Sequence, residues 1–148
     1  MQNSTFNIQH LLLTFCILLF AFLINCSIPN LEKPECREAQ TTVKEFYSYH
    51  FGNDMKFSTE NLRRREKFLS ADFVKNLQNA PPEIDVFTTN STDYPKAFRI
   101  GGCKIEAADK AVFEVLLFWK DDTRSEQREI NVEVVKQNDT WLISKINN

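Results

Sequence analysis

The chain has 148 residues and a formal net charge of −2, from 18 Lys and Arg against 20 Asp and Glu. That balance offers no basic face of the kind nucleic-acid binding requires, so it gives no case for a nucleic-acid partner. Two histidines and four cysteines, none at metal-ligand spacing, argue against a zinc site, and no motif requires a cofactor.

Leu11 to Ile24 is an uncharged apolar run of 14 residues. A membrane-spanning helix needs roughly 20, so the length fits the hydrophobic region of a signal peptide. Met1 to His10 carries no Lys or Arg. The run ends in Leu23-Ile24-Asn25-Cys26-Ser27, which resembles the signal of a bacterial lipoprotein. Leu23 and Cys26 match, and Asn25 stands where a small residue is usual. The resemblance implies a signal peptide over 1–25 and lipidation of Cys26, with acyl chains holding the protein on a membrane at ~0.8 kcal/mol per buried CH₂. Ser27 implies the outer membrane where the cell has one. Ordinary cleavage near Cys26 without lipid and an uncleaved anchor are the alternatives.

Removal of residues 1–25 leaves 123, enough for one domain with a real core. Residues 26–33, broken by Pro29, read as a tether, and 34–148 as a single domain. Cys16 leaves with the signal, so Cys36 and Cys103 remain beside Cys26. An even pair in an oxidising compartment suggests a disulfide. Such a bond would contribute about 4 kcal/mol in the chain-entropy model. Two buried free thiols are the other reading.

Pro34 suits a first helical turn, where its missing N–H costs nothing. Val43, Phe46, Tyr47 and His50 then recur at helical spacing, with Ala39 and Cys36 on or near the stripe, up to a stop at Gly52-Asn53. A second helix is predicted over about Thr59–Phe68, with Arg63-Arg64-Arg65 as a solvated face. A third is predicted over Ala71–Asn79, capped by Ser70 and ended by Ala80-Pro81-Pro82. Glu83 to Tyr94 is polar and Thr-rich, a long loop with little regular structure of the kind that often carries function. The rest reads as β: Phe98–Ile105 with a bulge or bend at Gly101-Gly102, Ala111–Lys120, Arg128–Lys136 after a charged connection Asp121–Glu126, and Trp141–Ile146 after a tight turn at Asn138-Asp139. Short connections predict a four-stranded antiparallel meander. N-terminal helices packed on a curved sheet make the fold class α+β.

Several segments carry a likeness: Val43-Lys44-Glu45-Phe46-Tyr47, Phe68-Leu69-Ser70, Asp85-Val86-Phe87, Thr92-Asp93-Tyr94-Pro95 and Asn138 to Ile146. With this element order the chain resembles the nuclear transport factor two-like fold, shared with ketosteroid isomerase. More narrowly, it looks like a family of uncharacterised bacterial envelope proteins, many of them lipoproteins. The resemblance implies a cone-shaped domain whose sheet curls around the first helix and leaves a pocket. It implies no activity, since this fold hosts enzymes and binding modules alike.

The aromatic lining expected for that pocket is Phe46, Tyr47, Phe51, Phe113, Phe118 and Trp119, although each one by itself reads first as core. His50 reads as a residue satisfying the helix end, with general-base chemistry as the sharper alternative. Asp85 and Asp93 read as carboxylates pinning the Glu83–Tyr94 loop by accepting from backbone N–H groups. Their functional reading is a polar mouth in which Asp85, Asp93 and Tyr94 meet a ligand above Tyr47 and Trp119. The Asn-X-Ser/Thr triplets at Asn90 and Asn138 are glycosylation acceptors only in a eukaryotic secretory pathway.

Three functions follow as expectations. The first is a non-enzymatic, membrane-tethered envelope lipoprotein that binds a small apolar ligand or a partner protein. The second is an inhibitor or immunity-type domain contacting a protein through Glu83–Tyr94. The third is a small isomerase or dehydratase using Asp85 or His50. A homodimer through the exposed sheet face is a further expected association.

Overall fold

A computed structural model of the chain describes residues 33–148; the signal segment and Cys26 lie outside the described residues. The first helix, α1 (Pro34–Phe51), starts at its proline and buries Cys36, Ala39, Val43, Phe46, Tyr47 and His50. Those positions recur three and four residues apart, so they form one stripe facing the core. The helix closes with Gly52 N donating to the Ser48 carbonyl at 3.2 Å. α2 (Thr59–Arg65) is capped by Ser58, whose Oγ accepts from Asn61 N at 3.1 Å. It tightens into a 3₁₀ turn at Glu66–Phe68, so the predicted second helix is two kinds of helix end to end. α3 (Ala71–Leu77) is capped by the predicted Ser70, which accepts from Phe73 N at 3.3 Å.

Four strands follow: β1 (Ala97–Ala107), β2 (Lys110–Lys120), β3 (Ser125–Gln137) and β4 (Thr140–Asn147). They form one antiparallel sheet in the order β1-β2-β3-β4. β3 begins earlier than the sequence pattern predicts, because Ser125 pairs with Lys120 and Glu126 with Trp119. The β1–β2 register slips between Ile100 and Cys103, at the predicted Gly101-Gly102 site. There Gly102 N donates to Glu114 Oε2 at 3.3 Å, and a Cβ on Gly102 would stand 3.1 Å from that carboxylate oxygen. Asn138 and Asp139 both take positive φ, 49° and 61°, the backbone of a type I′ hairpin turn.

Three N-terminal helices packed on a four-stranded antiparallel sheet make the protein α+β. The inner face of β2 presents Ala111, Phe113, Val115, Leu117 and Trp119, all buried, while the alternate residues are exposed or half-buried. Phe113 lies opposite Cys103 on one side and Val132 on the other. Val43, Phe46 and Tyr47 of α1 are fully buried in the same core as Phe113, Val115, Val132 and Ile143. Three further ties hold helices to sheet. Cys36 of α1 is disulfide-bonded to Cys103 of β1, with a Cα–Cα distance of 6.0 Å. Thr42 Oγ1 donates to the Trp141 carbonyl at 3.2 Å. Ser70 N donates to the Ile143 carbonyl at 2.8 Å, beside a parallel bridge between Leu69 and Ile143. A disulfide of this kind belongs to an oxidising, extracytoplasmic compartment. Among the described residues no helix is long and apolar enough to cross a membrane, and no group of three or more His, Cys, Asp or Glu could hold a metal ion.

Candidate functional site

The densest polar chemistry lies inside the molecule, where three elements meet. The last turn of α1 supplies His50, the end of α2 supplies Arg65, and the loop after α3 supplies Asp85. His50 and Asp85 are fully buried and Arg65 is 1% exposed. His50 Nε2 stands 3.0 Å from both Asp85 carboxylate oxygens. Arg65 Nε donates to His50 Nδ1 at 2.9 Å. A guanidinium only donates, so Nδ1 must accept and the ring proton sits on Nε2, aimed at Asp85. That assignment makes His50 a neutral imidazole between a cation and an anion.

The other polar atoms of the cluster also have partners. Asp85 also accepts from Phe87 N at 2.9 Å and from Thr88 Oγ1 at 2.6 Å. Arg65 donates from its two terminal nitrogens to the Asn61 and Asp54 carbonyls at 2.8 and 2.7 Å. Burial lowers the Arg65 pKa from its ordinary value, yet an arginine stays charged at any physiological pH. The His50 ring stacks on Phe46, with centroids 5.7 Å apart and planes 7° apart. Tyr47 joins through the backbone, its hydroxyl donating to the Phe87 carbonyl at 2.9 Å. Burial first, and the Asp85 charge second, push the Tyr47 phenol well above its ordinary pKa. As wired, the cluster pins the start of the Glu83–Tyr94 loop to two helices. The loop itself is more ordered than its composition predicts: Asp85 and Ser91 form a bridge, with Asp85 N donating to the Ser91 carbonyl at 2.8 Å.

Two expectations are corrected here. Arg65 is not part of a solvated face; Arg63 and Arg64 are exposed, but Arg65 turns inward from the same triplet. Its signal is the helical spacing, since Arg65 lies three residues after buried Leu62 on one face of α2. His50 lies in the last turn of α1 as expected, but its ring bonds Arg65 and Asp85 instead of serving the helix end.

The remaining predicted site residues lie elsewhere. Asp93 forms a two-pronged pair with Arg124, both contacts at 2.9 Å, at the β2–β3 end of the sheet. Glu126 accepts from both Arg124 and Arg128. The two guanidiniums each lie 5.1 Å from the Trp119 ring centroid, within cation–π range. Arg124 holds Asp93 and Glu126 below the ordinary carboxylate range. The Trp119 indole N–H is buried and makes no hydrogen bond of good geometry, although it faces Asp93 closely enough to add to that lowering. Tyr94 turns its hydroxyl to the Glu83 carbonyl beside Lys56. So Tyr47 and Asp85 both bond Phe87, Trp119 and Asp93 share the Arg124 guanidinium, and Tyr94 bonds Glu83; the five do not form one mouth. The expected pocket lining is likewise divided. Phe46, Tyr47 and Phe113 are core with no exposure, and Phe118 lies on the opposite sheet face from Phe113 and Trp119.

No family model and no curated protein matches the chain. Among solved structures, the chain is similar to a protein of unknown function from Bacteroides thetaiotaomicron. The match has a TM-score of 0.51 and 19% identity, and covers 76% of this chain and 90% of the other. At that identity the likeness is one of fold.

Proposed function

We propose that this chain is a membrane-tethered envelope lipoprotein of nuclear transport factor two-like architecture, which binds a ligand or partner at its surface rather than transforming a substrate. The observation that carries the reading is the state of the groups chemistry would need. His50 and Asp85 have no exposure, and each is held by partners that use its hydrogen-bonding capacity. A general base must reach the proton it removes, directly or through one water; these groups reach only each other, Arg65, Thr88 and backbone. Phe46, Tyr47, Phe113 and Trp119, four of the side chains expected to line an interior pocket, are packed in the core, which favours a surface site over an apolar one inside the sheet. The Cys36–Cys103 disulfide supports export, and the Leu23-to-Cys26 segment supports the lipid anchor. The inhibitor-type version draws on the Glu83–Tyr94 loop, which is ordered before any partner arrives and would lose little entropy on docking.

Intact-mass measurement of the protein expressed in a bacterial host tests the anchored reading. The expected species begins at Cys26, carries acyl chains, and gains two hydrogens on reduction. A full-length or unlipidated mass overturns the lipid anchor. For the non-enzymatic reading, the expected result is no isomerase turnover by the wild-type protein; turnover that Asp85→Asn abolishes with the fold intact would restore the enzyme.

A further inference from the structure

A groove of 660 Å³ runs along the outer side of α1 against the 3₁₀ turn. That is the size of an ordinary small-molecule site. Its aromatic contribution comes from Tyr49 and Phe68, whose rings are tilted 43° to each other with centroids 6.1 Å apart. The Lys67 ammonium lies 4.7 Å from the Phe68 centroid and 5.6 Å from that of Tyr49. Cation–π attraction therefore holds a lysine head against the rings. Lys44 lines the same groove, and among the described residues neither lysine has a carboxylate within ion-pair distance. Glu45 is the one acid in the lining, so the groove has an excess of one positive charge.

The α1 wall repeats. Gln40 with Thr41, Lys44 with Glu45, and Ser48 with Tyr49 are polar pairs four residues apart. Four residues advance ~6 Å along the helix, close to the length of one sugar ring, so each pair offers hydrogen-bonding groups near the repeat of a saccharide. Thr41 already donates its hydroxyl proton to the Arg37 carbonyl, which leaves it as an acceptor there. The half-buried Tyr49 ring, closely spaced amide and hydroxyl groups and unmatched ammoniums form one constellation.

We propose that this groove binds an acidic saccharide, with a sugar carboxylate meeting Lys67 and Lys44, sugar hydroxyls meeting Gln40 and Ser48, and a ring packing beside Tyr49. The proposal rests on the reading of the domain as a binding module, and gives that module its ligand class.

Titration of the purified protein with digalacturonate, followed by calorimetry and by amide chemical shifts, tests it. The expected result is saturable binding with shifts centred on residues 40–49 and 67–68. Lys67→Gln and Lys44→Gln should each weaken binding by about fivefold, the loss of one charge-assisted contact, with an unchanged thermal midpoint. Neutral lactose should bind more weakly than digalacturonate by a similar factor for each lost carboxylate contact. Absence of saturable binding, equal shifts with sodium acetate, or full affinity in both lysine variants each overturns the site. A lipidated protein that fails this titration but captures an envelope protein would remove the saccharide site and leave the binding-module reading standing.

Discussion

Arg65 and Arg124 each lie against an aromatic ring in a cluster that holds a carboxylate, Arg65 reaching Asp85 only through His50 and Arg124 bonding Asp93 directly, and the two surroundings differ. Arg65 lies in the interior with His50 and Asp85, and each of its three nitrogens donates to a protein acceptor. Arg124 lies at the β2–β3 end of the sheet among Asp93, Glu126 and Arg128, where side chains are about a third to a half exposed. Water can replace any member of the second cluster, because it already reaches all of them. It cannot replace a member of the first without opening three elements. The same residue types therefore organise the interior in one place and decorate the surface in the other. What separates them is how much solvation each charge gives up on folding.

The largest test of that contrast is Asp85→Ala. It leaves a buried guanidinium with only a neutral imidazole and carbonyls, and should cost about 3–5 kcal/mol of unfolding free energy in urea. A loss no larger than that of a surface variant would break the comparison. Cys103→Ser supplies an independent yardstick, because it opens a covalent loop without touching either arginine. It should cost about 2–4 kcal/mol by the same denaturation. Thr88→Val sharpens the interior side by removing one hydroxyl from Asp85 while keeping volume; a loss of about 1 kcal/mol is expected.

Asp93→Asn should have the smallest effect, a slight lowering of the thermal midpoint that high salt abolishes. A salt-independent loss would place Asp93 with the buried group. Acid titration checks the same cluster from the other direction. Asp93 and Glu126 have folded pKa values below ordinary because Arg124 bonds their charged forms. Their contribution is therefore present above the ordinary carboxylate range and lost as pH falls through the lowered values, that is below about pH 4. Asp93→Asn should flatten part of the stability loss in that window and leave neutral pH nearly unchanged.

Features governed by near neighbours were legible in the sequence. Ser70 caps α3, Gly101-Gly102 carries the register slip, and Asn138-Asp139 turns the last hairpin, because each depends on residues a few positions away. Cys36 and Cys103 could be paired by elimination, although 67 residues separate them. The buried cluster was not legible, because His50 finds Arg65 across 15 residues and Asp85 across 35. Local composition describes none of those encounters. A partial signal existed in phase: His50 continues the Val43–Phe46–Tyr47 stripe, and Arg65 shares a face with Leu62. A polar residue in step with a buried stripe marks a charge that must find partners inside. Asp85 had no such marker, since its loop has no period to keep.

The disulfide also has a mechanical side. Cys36 lies three residues beyond Lys33, where the described chain begins, and its bond leads straight into the middle of β1. A pull applied at that end reaches a covalent link before it can peel away the first turn of α1. The load passes into β1 and spreads over its hydrogen bonds with β2, which must yield together rather than one by one. With the bond reduced, the same pull would unwind α1 from its first turn and draw out the stripe that ends at His50.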